Sequence, residues 1–391
     1  MKLQHFLSCL IGFFILASCS PGKTARIIVV ENTLDEDRSF ETMELTSDFL
    51  KIDSLTHIGI KDLASNKLLV TQLVDEDGDE IMDLLLFQTE IKAKSIKKFE
   101  IVEISKDERP KSETFCYARF VPERTDDYAW ENNRVAFRMF GPAAQKMAED
   151  GIPGGTLTSG VDAWLKKVDY PIIDKWYKKE TETNGTYHED TGEGLDNFHV
   201  GVSRGVGGIA IKKDSAYYFS KNYTKWRTIA TGPIRTSFYL EIGAWDAGGT
   251  LIEESKVISL DYGSNLSRFE ISIEGTDKIS AGLTLNKKDG QVTANENGAW
   301  ISYWQPHDGS ELGTAIVASA DCFLGYEKHD VQEKDLSNAY AHLKVKGSKA
   351  IYFAGFGWKE SGQFKNMQDW EDYLNLFAKK INNPLKVSLV P

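Results

Sequence analysis

The chain has 391 residues, with 46 basic and 58 acidic side chains and a formal net charge of −12. That balance excludes a nucleic-acid binder and a generally cationic surface, because neutralising phosphates takes a surplus of Lys and Arg. Hydrophobic residues make up 41% and aromatics 11%, the composition of a folded globule long enough for two domains.

Residues 1–18 carry the parts of a signal peptide: Lys2, then an apolar run over residues 6–17 broken by Ser8, Cys9 and Gly12, then Leu16-Ala17-Ser18-Cys19. The run is short for a bilayer span, which takes about 20 apolar residues. Cys19 directly after Leu-Ala-Ser looks like a lipobox, so it is expected to be lipidated and to begin the mature chain. A secretory peptide cut elsewhere and an uncleaved anchor are the competing readings. No acidic cluster follows Cys19, which favours anchoring in the outer membrane facing the periplasm. Cys116 and Cys322 remain; they either pair there or stay as thiols, and no Cys pair has metal-ligand spacing.

Residues 26–31, 67–74, 81–87 and 97–104 read as strands, with Asp75-Glu76-Asp77-Gly78-Asp79 as a turn. Asp75, Asp77, Asp79 and Asp83 offer oxygens for calcium. An EF-hand loop, however, wants Gly sixth and Glu twelfth, where this chain has Gly78 fourth and Leu86 twelfth. A plain hairpin turn is the preferred reading. Residues 24–108 are thus expected to form a small β-sandwich, and the charged, Pro-containing stretch 106–112 a linker. Residues 113–391 read as a large antiparallel β-sandwich, supersandwich-like, with strands at 116–121, 133–140, 207–211, 216–220, 234–243, 266–274, 298–304, 314–318 and 350–355. Helical signals are few. Residues 142–150 suit a short helix. Trp370, Leu374, Phe377 and Ile381 recur at helical spacing, predicting an amphipathic helix over 366–382 that packs on a sheet and stops before Pro384.

Three features carry chemistry. Four of the eleven arginines, Arg119, Arg124, Arg134 and Arg138, fall within 20 residues that hold no Lys. A guanidinium fork matches a carboxylate or sulfate, although Glu123, Asp126, Asp127 and Glu131 stand ready to pair with these arginines instead. Residues 188–204 combine His188, Glu189, Asp190, Glu193, Asp196, His199 and Arg204 in a Gly-rich stretch. They read as loops, where ionisable catalytic groups concentrate. A solvated acidic loop is the bland alternative. His188, Glu193 and His199 are conceivable metal ligands, but at no recognised spacing, so no cofactor is assigned. Ser203 lacks a nucleophile-elbow context, and residues 205–208 are not a phosphate loop. Tyr128, Trp130, Trp164, Trp176, Trp304 and Trp358 offer faces for sugar rings, though each alone reads first as core.

Side by side, these runs form a pattern: FVPERTDDYAWENNRVAFRMFGP at 120–142, SGVDAW at 159–164, PIIDKWY at 171–177, YHEDTGEGLD at 187–196, SRGVGG at 203–208 and GPIRT at 232–236. The chain resembles a bacterial family of domains of unknown function found in polysaccharide-utilisation loci, over nearly its whole mature length. One member is an oligosaccharide dehydratase of ulvan breakdown. The resemblance therefore implies a carbon–oxygen lyase. It would remove water from the non-reducing-end glucuronic or iduronic acid of an anionic, sulfated uronyl–rhamnose oligosaccharide and leave a 4,5-unsaturated uronyl end.

That elimination needs a base for H5, an acid for the 4-hydroxyl and a cation on the carboxylate. His188 is expected as acid or base, with Tyr187 or His199 as its counterpart and Arg204 on the carboxylate. Arg134, Arg138, Arg235, Trp130 and Trp164 are expected to bind substrate, with Glu189, Asp190 and Glu193 orienting the imidazole. A glycoside hydrolase using two of Glu131, Asp162, Glu189, Asp190 and Glu193, or a non-catalytic glycan-binding lipoprotein, are the competing classes.

Overall fold

The computed structural model describes residues 26–390; the signal sequence and the lipidation site expected at Cys19 lie outside the described residues. Mainly antiparallel sheets with few helices make up the chain, as its alternating patterns predict.

Two sheets form the first unit. One runs in the order Lys386–Val390, Ile27–Glu31, Ile96–Glu103, Ile58–Asp62, Lys67–Leu68; the other orders Arg38–Leu45, Leu84–Ile91, Thr71–Val74. Ile28 and Val30 alternate inward along the first strand and meet Met43, Leu45, Phe87 and Phe99. Val74 pairs with Leu84 across the acidic turn, making the expected hairpin. Within the turn, Asp75 accepts the N–H groups of Gly78 and Glu80 at 2.7 and 2.9 Å, and Asp83 accepts that of Glu76 at 2.6 Å. The carboxylates of Asp75, Asp77 and Asp83 lie within 4.8 Å of one another.

The end of the chain returns to this first unit. Ile27 pairs with Val390 and Glu31 with Lys386, so residues 386–390 do not stay with the larger unit expected over 113–391. The alternation Val387, Leu389 predicts a strand. Which sheet it joins is decided only by the packing of those two side chains into the small sandwich.

The larger unit is built on an eight-stranded sheet. It runs from Tyr223–Ala230 through Arg235–Asp246, Leu251–Asp261, Leu266–Glu274, Lys349–Trp358, Ser310–Ala318 and Trp300–His307 to Gln291–Asn295. On Leu266–Glu274, Phe269, Ile271 and Ile273 are buried while Arg268, Glu270, Ser272 and Glu274 face outward, the pattern of a sheet with one dry face. That face packs on two five-stranded sheets. One contains Tyr117–Val121, Asp127–Glu131, Ala136–Met139, Asp162–Lys166 and Gly194–Leu195; the other contains Ala216–Tyr218, Val206–Lys213, Lys278–Thr284, Asn338–Lys344 and Phe323–His329. Trp130, Phe137 and Ile209 meet Phe238, Phe269, Tyr352 and Phe356 in one core.

The helix Met367–Asn382 lies on the outer face of the eight-stranded sheet. Asn366 caps it by accepting the Asp369 N–H. Trp370 and Leu374 are buried against Trp300 and Val317, each burial contributing on the order of 2 kcal/mol. The helix Pro142–Glu149 matches its expected place. A further helix, Ile173–Glu182, buries Ile173, Trp176 and Tyr177 against Trp164 and Tyr187. Its Lys- and Glu-rich solvent side hid this narrow apolar stripe. Cys116 and Cys322 are both free thiols, Cys116 buried. Among the described residues, no helix is long and apolar enough to cross a membrane.

Candidate functional site

A cleft of about 530 Å³ opens beside the sheet that starts at Tyr117, walled by residues 155–157, 196–202 and Asp335, with Arg124, Arg138, Asp162 and His188 also lining it. Its chemistry is organised by strand register. Asp162 pairs directly opposite Arg138, which places an acid and a base on one face as cross-strand neighbours. Arg138 Nε and Nη2 donate to Asp162 Oδ2 at 3.0 and 2.6 Å, and Nη2 donates to Asp196 Oδ2 at 2.9 Å. Nη1 donates to the Tyr187 hydroxyl at 3.1 Å and lies 3.5 Å from Asp127 Oδ2. The guanidinium sits 5.0 Å from the Phe140 ring centre and 5.1 Å from that of Trp164.

One guanidinium thus serves three buried carboxylates. Arg124 brings a second positive charge, partly buried, and its Nη1 donates to Thr125 Oγ1 at 2.8 Å. Full ionisation would leave the group one negative charge in surplus. Burial pushes the Asp127 carboxyl up to about 6, against the pull of Arg138 and Arg124. Burial, and then the charge of Asp196, drive Asp162 well above the usual carboxylate range despite Arg138. Burial likewise raises the Tyr187 phenol, which stays protonated at neutral pH.

His188 stands half exposed at the rim, its ring edge-on to Tyr187. Its Nδ1 lies 2.6 Å from the Asp196 carbonyl oxygen. A carbonyl only accepts, so Nδ1 carries a proton, and in the neutral ring the lone pair is then on Nε2. His199 places Nε2 at 3.0 and 3.1 Å from the two oxygens of Asp335. This pair depends on Gly201. The backbone there has φ +53, and a Cβ would stand 2.1 Å from Asp335 Oδ2.

Arg204 does not reach the cleft. Its guanidinium is fully buried 4.2 Å from the Phe219 ring centre and donates to Ser159 Oγ, Thr158 Oγ1, and the carbonyls of Ile209 and Val202. Burial brings it down to about 10, so it remains charged at neutral pH. Thr158, Ser159 and Val202 belong to the two loops that continue into the cleft walls and Ile209 to the strand Val206–Lys213, so Arg204 ties both loops to that strand. Gly205 lets those loops touch: with φ +56, a Cβ there would meet the Val161 carbonyl oxygen at 1.9 Å.

Other expected site residues also lie elsewhere. Trp130 is core and donates Nε1 to Ser267 Oγ at 2.9 Å. Trp164 is buried behind Arg138 and supports it without facing the cleft. Arg134 donates to Asn265 Oδ1 and covers Phe40. Arg235 binds Asp261 and Glu44, bracing the small sandwich against the large one. Glu193 accepts from Lys175 and Tyr170, so it is not drawn together with His188 and His199 as a ligand set. Asp190 pairs with Lys167 and accepts the N–H groups of Gly192 and Gly194, and Glu189 is exposed. None of these three acids orients the imidazole; the Asp196 carbonyl does. Arg119 pairs with Glu123 and Asp174, the ordinary reading of the arginine cluster.

Brought in by the fold are Arg124, Asp162, Asp196 and Asp335. The first three sit inside the sequence motifs. Asp335 carries no local signal, since it meets His199 across 136 residues of chain.

A family model described as a domain of unknown function, DUF4861, matches residues 30–387. An uncharacterized protein of Formosa agariphila is 51% identical over 394 residues, covering 100% of this chain and 100% of that protein. Among solved structures, a protein of glycosyl hydrolase family 38 from Enterococcus faecalis superposes with a TM-score of 0.49 at 12% identity, over 94% of this chain and 47% of that one. An alpha-mannosidase from Enterococcus faecalis V583 gives 0.45 at 12% identity, over 94% and 46%. The chain spans about half the length of these solved structures, and likeness at this depth says nothing of activity.

Proposed function

The chain belongs to the DUF4861 family, and on that premise we propose that it is an oligosaccharide dehydratase. It eliminates water from the terminal uronic acid of sulfated uronyl–rhamnose oligosaccharides released from ulvan, within a polysaccharide-utilisation system. One observation carries this reading. The cleft sets an imidazole with a free Nε2 beside Arg124, a guanidinium with no carboxylate ion pair among the described residues. The carboxylate of a uronate docks on Arg124, which stabilises the negative charge that develops as C5 loses its proton. His188 Nε2 takes that proton, and imidazole is suited to the task near neutral pH. The His199–Asp335 pair, which also lines the cleft, positions the sugar.

The lipid anchor at Cys19 and a periplasm-facing location belong to the same proposal. An anchored enzyme there meets imported oligosaccharides, which suits trimming at chain ends.

The test is incubation with saturated uronyl–rhamnose-3-sulfate oligosaccharides, with and without chelator. A dehydratase yields a product lighter by one water that absorbs in the ultraviolet as a conjugated enol ether. Shorter sugars would identify a hydrolase, and an unchanged substrate a binding protein.

A further inference from the structure

The elimination leaves one chemical need unassigned. The 4-hydroxyl is a poor leaving group, and something must protonate it as the C4–O bond breaks. His188 is committed to the C5 proton, so the acid must be a different group that holds a proton at neutral pH and borders the cleft. The Tyr187 hydroxyl does not line the cleft; it is buried and accepts from Arg138. His199 is engaged by Asp335.

Asp162 meets the description. Its Oδ2 is held by Arg138, yet its Oδ1 is buried and has no hydrogen-bond partner. A buried ionised carboxylate oxygen with no donor is costly, whereas a protonated one is a donor waiting for an acceptor. Charge counting agrees. Asp127, Asp162 and Asp196 share Arg138 and Arg124, and a single proton among the three makes the group neutral. Tyr177, which donates to Asp127, and Tyr187 are phenols and leave that count unchanged. The His188 ring nearby is held by the Asp196 backbone, with Nδ1 3.8 Å from Asp196 Oδ2. Asp196 accepts from Arg138, and Asp127 from Tyr177. Of the three carboxyls, Asp162 and Asp196 line the cleft, and only Asp162 among those two keeps an orphaned oxygen.

We propose that Asp162 is a catalytic residue of this chain, the general acid that hydrogen-bonds the uronate 4-oxygen through Oδ1 and protonates it as it leaves. The proposal rests on the dehydratase reading. In the step, His188 Nε2 removes H5, the C5–H electrons form the C4=C5 double bond, the C4–O bond breaks, and the Asp162 proton joins the leaving oxygen to give water. The enzyme is left with imidazolium at His188 and carboxylate at Asp162, where Arg138 and Arg124 stabilise the new charge. Transfer of one proton between the two through solvent restores the starting state. The ligand class follows: the sugar must carry both a carboxylate for Arg124 and a free leaving oxygen at C4 within reach of Asp162.

The experiment compares two substrates that differ only in the leaving group, the terminal uronide with its 4-hydroxyl and the 4-deoxy-4-fluoro analogue. Fluoride departs without a full proton, so it depends little on the acid. Asp162→Asn keeps the shape and the acceptor for Arg138 but carries no acidic proton. It is expected to lose roughly a hundredfold or more in kcat on the hydroxyl substrate, with KM held within a few-fold and most of its rate kept on the fluoride. The smaller neutral Asp162→Ser gives the same selective loss and serves if the Asn variant does not fold. Equal losses on both substrates in a folded variant, or no loss on either, overturn the assignment. A wild-type protein inactive on both substrates would instead refute the dehydratase reading itself.

Discussion

Replacing Asp127 with Asn should stabilise the protein at neutral pH and do nothing comparable in acid. Asp127 is completely buried and receives the Tyr177 hydroxyl at 3.1 Å. Arg138 is 3.5 Å away, but its closer partners are Asp162 and Asp196. Taking away this third carboxylate therefore does not strand the guanidinium. Burial raises the Asp127 carboxyl from 3.8 to about 6. The folded state thus binds the proton more tightly than the unfolded chain. Any stability tied to that proton is fully present below about pH 3.8 and is lost as pH rises through about 6. A shift of about two units corresponds to about 3 kcal/mol paid above that window. Asn keeps an acceptor for Tyr177 and never ionises. Because pH 4 already lies just inside that window, urea unfolding at pH 7.5 and pH 4 should show the Asn variant gaining about 2.5 kcal/mol relative to wild type on going from the lower pH to the higher. Any steric cost of the amide cancels in that difference. A variant whose stability offset is the same at both pH values refutes the reasoning.

Removing Arg138 is the opposite case. Arg138→Met strands Asp162 and Asp196 without a partner and should cost about 3–5 kcal/mol, read as a lowered urea midpoint; an unchanged midpoint contradicts the charge cluster. Arg124→Met should cost less stability than Arg138→Met, since Arg124 makes no ion pair among the described residues and acts on Asp127 only through its charge, but it should raise KM for the uronate about tenfold or more, the worth of a charged hydrogen bond. Arg204→Met should do the reverse, lowering stability with far less effect on KM once folded, because the guanidinium braces the walls and does not touch the ligand. If the two variants exchange these phenotypes, the carboxylate sits on Arg204. Truncation after residue 385 removes the strand paired with Ile27–Glu31 together with Val387 and Leu389. It should lower the thermal midpoint, and an unaltered midpoint would mean that strand adds nothing to the small sandwich.

Much of the fold was legible because alternation and helical spacing are local. The strand Leu266–Glu274 and the helix Met367–Asn382 follow directly from such patterns. Other strands were hidden by charge. On Leu251–Asp261 the inward positions are Ile252, Glu254, Lys256, Ile258 and Leu260, so the buried Glu254–Lys256 pair interrupts the apolar alternation. The partner of the last strand depends on packing between chain ends, which no local pattern encodes.

The site was legible as a neighbourhood more than as an arrangement. His188, His199 and Arg138 fell within the stretches singled out in the sequence and do line one cleft, with Tyr187 held against Arg138. Arg204 lies in the same Gly-rich stretch as His188 and His199 yet points into the core, because such a stretch can turn any one of its side chains inward. Trp130 and Trp164 show the same limit: an aromatic in a motif is core unless an edge is left open. Asp162 becomes conspicuous only when strand register sets it against Arg138.

The most direct measurement is a proton NMR spectrum of the oligosaccharide before and after incubation with the full-length protein. A terminal uronate that loses its H5 signal, gains one vinylic H4 signal and keeps every glycosidic linkage is the expected outcome. New reducing-end anomeric signals, or a spectrum that does not change, would contradict elimination in this cleft.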